Sequence, residues 1–183
     1  MLTNALIGCG RIAKNHINAA LAKNDLRIVA VCDIIPERMD TMLALMPEEI
    51  KHYVRKYENY HEMLEKERPN LCAITTESGK HAAIALDCID TGANVIIEKP
   101  IALSLFNADE IIKRGKEKGV KVCACHQNRF NAAIQHMRRA MEQGRFGKLS
   151  HGSVHVRWSR SYSLQKWRTW NYQGNNKCLP QQP

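Results

Sequence analysis

The fold is decided at the start of the chain, where residues 2–13 read LTNALIGCGRIA. A short apolar run, Leu2–Ile7, leads directly into the pattern Gly8-x-Gly10-x-x-Ala13, and a helical pattern follows. In a dinucleotide-binding βαβ unit, the first glycine permits a tight turn and the second lets backbone amides approach the pyrophosphate. The small Ala13 lets helix and strand pack closely. We therefore expect the turn to seat the pyrophosphate of a nicotinamide dinucleotide; a glycine turn without a ligand is the alternative.

An acidic residue closes the second predicted strand. Asp33 follows the apolar run Arg27–Cys32 and lies 23 residues after Gly10. At that spacing a carboxylate accepts hydrogen bonds from the adenosine ribose and repels a 2′-phosphate, which favours NAD over NADP. The nearby Arg38 leaves NADP open. The alternative role of Asp33 is to cap the helix that starts at Pro36, and this role is compatible with ribose binding.

Short apolar runs continue beyond this unit. Leu71–Ile74, Asn94–Ile97 and Val120–Ala124 are nearly continuous, as in parallel strands that are covered on both faces. A weaker strand is predicted near His52–Val54. Alternation with helical patterns predicts an α/β fold with a doubly wound parallel Rossmann sheet and right-handed crossovers.

Amphipathic stretches separate the strands. Ser78 and Ser104 are predicted to cap two helices, and a third helix is predicted over Asn131–Gln143. In the helix after Ser104, the apolar stripe places Ile111 and Ile112 toward the sheet.

The pattern changes after Gly147. Residues 150–158 alternate as a strand, and polar sequence then runs to Pro183. We therefore assign residues 1–126 to a dinucleotide-binding Rossmann domain. Residues 127–183 are assigned to the truncated start of a second α/β domain for substrate binding and oligomerisation.

Composition narrows the function classes. The 183 residues are 44% hydrophobic and 25% charged, which is ordinary for a globular protein. They contain no secretory signal and no apolar run of the ~20 residues that a membrane helix needs, so we expect a cytoplasmic protein without a membrane partner. Cysteines in residues 123–126 alternate as in a strand and lack the spacing of zinc ligands, so no metal is expected.

Positive charge is concentrated at one end of the chain. Residues 145–183 contain seven Lys or Arg and no Asp or Glu, so they contribute +7 to the net charge of +9. This distribution disfavours nucleic-acid binding by the whole chain, and such binding stays an alternative only for the basic, aromatic tail.

A lysine stands at the carboxyl end of the predicted strand Asn94–Ile97, in the sequence Glu98-Lys99-Pro100. Ligands of open parallel sheets bind at this edge. Lys99 can take a proton from a substrate hydroxyl there; a solvated surface lysine is the alternative.

These motifs resemble the glucose–fructose oxidoreductase/inositol dehydrogenase family. The resemblance rests on residues 7–13, 75–81 (TTESGKH), 92–97 (GANVII) and 98–100, and it extends to about residue 170. It implies an N-terminal NAD-binding Rossmann domain, a second domain with a large open sheet, and a homo-oligomer for the full-length family.

Three further stretches narrow the resemblance: residues 126–131 (HQNRFN), 144–149 (GRFGKL) and 155–158 (HVRW). They are similar to the branch that oxidises the 3-hydroxyl of UDP-N-acetylglucosaminuronate for surface polysaccharide biosynthesis. The implied activity is NAD-dependent oxidation of a UDP-N-acetyl-hexosaminuronic acid, without a nucleic-acid partner. A basic tail suits the phosphates and carboxylate of such a substrate.

The resemblance also implies roles for individual residues. Lys99 maps onto the catalytic lysine. The implied cofactor contacts are Gly8, Gly10, Arg11, Ile12, Asp33, Thr75, His81, Glu98 and Gln127, and the implied substrate contacts are Lys99, Arg129, Asn131 and Arg157. A solvent-facing charge is the alternative for each arginine.

Residues 175–183 depart from the family pattern, where a glycine pair and a histidine-bearing helix are expected. We therefore expect a truncated or frame-shifted chain that turns over substrate poorly. The alternative function is a non-catalytic NAD-binding fragment or interaction module.

Overall fold

Six parallel strands form one sheet in the computed structural model, which describes residues 1–157. The strand order is β3-β2-β1-β4-β5-β6, that of the doubly wound dinucleotide-binding fold, so the predicted fold class is confirmed. The strands are β1 (Leu2–Ile7), β2 (Leu26–Cys32), β3 (Arg55–Tyr57), β4 (Leu71–Ile74), β5 (Asn94–Glu98) and β6 (Val122–Cys125).

Helices connect these strands. Ser104 begins one of them as predicted, because its hydroxyl accepts a hydrogen bond from the Asn107 amide at 3.2 Å, and Gly119 ends it with φ +68°. The helices in residues 1–157 are α1 (Ala13–Leu21), α2 (Pro36–Leu43), α3 (Glu48–Lys51), α4 (Tyr60–Glu67), α5 (His81–Asp90), α6 (Leu105–Lys118) and α7 (Ala132–Glu142), with a 3-10 turn at Gln127–Phe130.

Buried side chains form two cores, one on each face of the sheet. Along β1, Ala5 and Ile7 belong to one core, and Leu6 between them belongs to the other. Because both faces are covered, the strands read as nearly continuous apolar runs. Apart from Asn4 within β1, the buried polar side chains of the strands and of the residues just after them lie at the carboxyl ends, where the candidate site lies.

The strand predicted near His52–Val54 is present, but it lies three residues further along the chain as β3, which begins at Arg55. The amides of Tyr53 and Val54 bond back to carbonyls of the preceding helical turn, at 3.0 and 3.2 Å. A backbone used in this way cannot join the sheet.

Two details of the helix predictions are wrong. Ser78 does not cap α5, which has Lys80 as its N-cap and begins at His81. Ile112 is 46% exposed; Gly115 is buried instead, because it lies one turn after Ile111 on the face toward the sheet.

The chain divides into two compact units, Met1–Gln127 and a second that starts at Asn128. Residues 150–157 form no strand, so that part of the predicted strand is wrong, and Trp158 lies outside the described residues. A strand needs a neighbour for its amides and carbonyls, and the described residues of the second unit provide none. Assignment of this unit to a substrate and oligomerisation domain stays a prediction.

Crossing a membrane requires a helix that is both long and apolar, and residues 1–157 contain none. The cytoplasmic location stays a prediction.

Candidate functional site

Polar and glycine residues meet at one edge of the sheet because parallel strands all end there. Gly8 follows β1, Asp33 follows β2, Thr75 follows β4, and Glu98 ends β5 with Lys99 next to it. The strand order reverses between β1 and β4, and open α/β sheets bind ligands at such a point.

Gly8 makes the close contact between the ends of β1 and β4. Its φ is +95°, and an added Cβ would lie 2.7 Å from the Thr75 carbonyl carbon and 2.7 Å from the Thr76 amide nitrogen. The buried Thr75 hydroxyl donates a hydrogen bond to the Gly8 carbonyl. Only glycine fits here.

Gly10 borders open space. An added Cβ there would meet no heavy atom within 4 Å among the described residues. The helix α1 begins three residues later with the buried Ala13, and no side chain of the described residues caps its first turn. The open space at Gly10 and the positive end of the helix dipole fit an anionic pyrophosphate, so this turn can hold the predicted cofactor.

Asp33 ties this turn to the end of β2. Its buried carboxylate accepts hydrogen bonds from the Cys9 amide at 2.7 Å and from the Ile35 amide at 2.9 Å. Ile35, not Asp33, is the N-cap of α2, so the helix-cap alternative is wrong. The Arg38 guanidinium lies 3.7 Å from one carboxylate oxygen and leaves lone pairs of Asp33 available for ribose hydroxyls.

Replacing Asp33 by alanine leaves two backbone donors without their acceptor. We expect the free energy of unfolding, measured by urea denaturation, to fall by about 2 kcal/mol. The control is Asp40→Ala, which removes an exposed ion pair to Lys56 at 2.7 Å and should cost less than about 1 kcal/mol. Equal losses in the two variants would contradict the role of Asp33 in holding the turn.

Cys9 belongs to this turn, and its buried thiol is unreactive. Burial, and then the charge of Asp33, raises the pKa of its thiol to about 12. The thiol therefore stays protonated at neutral pH, and its contribution is apolar packing.

Glu98 is buried at the end of β5 and is held by two neighbours that sequence reasoning missed. The His16 ring lies 2.8 Å from its Oε1, and Cys125 on β6 is the other neighbour of the carboxylate. Burial alone raises the pKa of Glu98, but hydrogen bonding and the charges of His16 and Lys99 lower it overall. The carboxylate is therefore ionised at neutral pH.

His16, Glu98 and Cys125 form a compact cluster, with donor atoms within 4.8 Å of one another. We assign it as a hydrogen-bonded cluster, because the bond between His16 and Glu98 already uses two of these atoms. The signal for His16 in the sequence is its place one turn after Ala13, next to Ile17 on the face of α1 that packs on the sheet.

Lys99 projects from the same strand end, with a side chain 44% exposed. Next to it, the Pro100 carbonyl lies 2.7 Å from Nδ1 of His81, and the Thr76 carbonyl lies 3.0 Å from Nε2. His81 is 1% exposed. It therefore links the loop after β4 to the segment that carries Lys99.

The structure gives the positions of the other predicted contact residues but does not bring these residues together. Gln127 is exposed at the start of the 3-10 turn, Arg11 is exposed and Ile12 is half-buried. Arg129 and Arg157 are exposed in the second unit, where Asn131 caps α7 by accepting a hydrogen bond from the Ala133 amide at 3.1 Å. The roles of all these residues stay predictions.

Known proteins resemble this chain over most of its length. The WlbA dehydrogenase of Bordetella pertussis, solved in complex with NADH and UDP-GlcNAcA, is 33% identical with a TM-score of 0.81, over 91% of this chain and 50% of that one. A D-apiose dehydrogenase of Paraburkholderia graminis is 30% identical over 153 residues, 84% of this chain and 40% of the relative. A glycosyl hydrolase family 109 protein of Shewanella woodyi is 26% identical over 190 residues, 95% of this chain and 40% of the relative.

The chain thus spans about 40% of the length of these two curated relatives. Residues 2–126 match the model of the oxidoreductase family with an NAD-binding Rossmann fold. The match covers all six strands and the strand-end residues described above, and it confirms NAD as the cofactor. The chain therefore belongs to this family of NAD-binding Rossmann oxidoreductases.

Proposed function

We propose that the protein oxidises the 3-hydroxyl of a UDP-N-acetyl-hexosaminuronic acid with NAD, in surface polysaccharide biosynthesis. The observation that carries the proposal is the half-exposed Lys99 amine, which shares one sheet edge with the glycine turn and Asp33. The likeness to a dehydrogenase solved with NADH and UDP-GlcNAcA supports this substrate class.

Each strand-end residue has a distinct task in this reaction. The turn at Gly8 and Gly10 and the first turn of α1 bind the pyrophosphate, and Asp33 accepts hydrogen bonds from the ribose. NAD, when bound, supplies the hydride acceptor. Lys99 takes the proton of the substrate hydroxyl as the carbon gives up its hydride. The Glu98 carboxylate, 3.8 Å from Nζ, stabilises the ammonium that results.

Substrate recognition is assigned to basic side chains. A UDP-uronic acid carries two phosphates and a carboxylate, which guanidinium groups bind in a bidentate manner. Arg129 and Arg157 are exposed and available for such contacts. Four further cations follow within the acid-free residues 158–183, outside the described part of the chain.

The proposal is tested with purified protein, NAD and a matched pair of sugars. We expect NADH to form, at a low rate, with UDP-N-acetylglucosaminuronate, and kcat/KM to be at least about tenfold lower with UDP-N-acetylglucosamine, which has a hydroxymethyl group in place of the carboxylate. Binding of NAD, measured by calorimetry, should be tighter than binding of NADP because Asp33 repels a 2′-phosphate.

Two results would count against the proposal. NADH formation with myo-inositol but not with the sugar acid would reject the substrate class. Release of free sugar from an N-acetylhexosaminide without net NADH would indicate a hydrolase, the activity named for the Shewanella relative.

A further inference from the structure

His16 reaches from α1 to the strand end that carries Lys99. Its Nε2 lies 2.8 Å from Oε1 of Glu98, and the two side chains are only 12% and 8% exposed. The residues are 82 positions apart in the chain. The contact is therefore a tertiary one that joins α1, the helix after the cofactor turn, to β5.

The two oxygens of Glu98 face different partners. Oε1 is bonded to His16, whereas Oε2 faces Lys99, at 3.3 Å from its amide and 3.8 Å from its Nζ. A separation of 3.8 Å is too long for a hydrogen bond. The carboxylate thus attracts the lysine by charge but does not bond to its amine.

We propose that His16 is a positioning residue, whose hydrogen bond to Glu98 Oε1 keeps the carboxylate from closing onto the Lys99 amine. Lys99 then stays free to exchange a proton with the substrate. This inference rests on the proton-transfer role of Lys99 in the proposed function and deepens it.

Other titratable groups at this corner do not provide the same restraint. Cys125 faces Glu98 from β6, with Cys123 two residues before it. Burial, followed by the charge of Glu98, raises the pKa of Cys125, so the thiol stays neutral. A thiol is a weak hydrogen-bond donor. Without His16, the stronger partner of the Glu98 carboxylate is therefore Lys99.

The test is competitive amine labelling of the full chain across pH, with the extent of modification of each lysine read by mass spectrometry. A Gln side chain at position 16 can still donate to Oε1, whereas Asn has the same amide on a shorter stem. We expect His16→Asn to lower Lys99 labelling about threefold or more below the labelling midpoint, and to move that midpoint to higher pH. His16→Gln should keep the wild-type profile.

Two controls accompany the pair. The exposed Lys23 is the internal standard in every sample. The variant His52→Gln makes the same substitution at an exposed histidine, the C-cap of α3. Thermal melting of each variant checks its fold. A wild-type Lys99 profile in His16→Asn would overturn the inference, as would a Gln variant that behaves like the Asn variant.

A double variant makes the test independent of small fold changes. Glu98→Gln removes the charge that holds the ammonium, so Lys99 should become more reactive. Adding His16→Asn to it should then change nothing further. A threefold effect of His16 in this background would overturn the inference.

Labelling needs neither substrate nor turnover, so the inference and the proposed function fail separately. A shifted Lys99 profile without any NADH formation would retain His16 as a positioning residue and reject the dehydrogenase. NADH formation with an unshifted Lys99 profile would retain the dehydrogenase and reject His16 as a positioning residue.

Discussion

Replacing Gly8 by alanine is expected to lower the free energy of unfolding by about 3 kcal/mol. Two causes act together: the φ of +95°, which L side chains rarely adopt, and the 2.7 Å approach of the new Cβ to the backbone of Thr75 and Thr76. Backbone atoms cannot rotate away as a side chain can, so the end of β1 must separate from the end of β4. Urea denaturation measures the loss.

Gly10→Ala is the matched control, two residues away in the same turn. Its Cβ meets no described atom within 4 Å, so the free energy of unfolding should change by less than about 0.5 kcal/mol. The new methyl group occupies the space that the pyrophosphate needs, so NAD affinity should fall about tenfold or more, as measured by calorimetry. Equal destabilisation of both variants, or wild-type NAD binding by Gly10→Ala, would contradict the assignment of the two glycines.

Local sequence signals were sufficient for most of the sheet. The run Leu2–Ile7 and the glycines after it specify a strand and a turn without help from distant residues, and β1 has the predicted bounds. Near His52–Val54, backbone amides form helix-type hydrogen bonds to carbonyls of the preceding turn, so they cannot form the hydrogen bonds of a strand. The alternation in residues 150–157 lacked a partner strand among the described residues, and pairing is what turns such a pattern into a strand.

Candidate site residues were predictable where topology alone places them. Asp33 and Lys99 could be assigned to one edge because parallel strands end together. His16 could not, because its contact with Glu98 depends on the rotation of α1 and on a side chain 82 residues away. Sequence patterns predict which elements meet, but the pairing of particular polar atoms follows from packing.

Lys99→Met is expected to lower kcat for NADH formation by about 10²–10⁴-fold, the contribution of a positioned general base. The long unbranched methionine preserves the volume of the lysine stem but has no amine to accept the hydroxyl proton. Because the side chain is 44% exposed and the fold does not depend on its burial, the melting temperature should stay close to that of the wild type. The dissociation constant for NAD should stay within about threefold, since the pyrophosphate and ribose contacts lie on other strands.

Lys99→Arg separates proton transfer from charge. The guanidinium keeps the positive charge beside Glu98 but does not deprotonate at any pH of the assay, so it cannot act as a base. We therefore expect the Arg variant to be about as slow as the Met variant. Recovery of most of the activity by Arg would mean that Lys99 acts on the substrate through its charge, and the proton would then have to leave through another group.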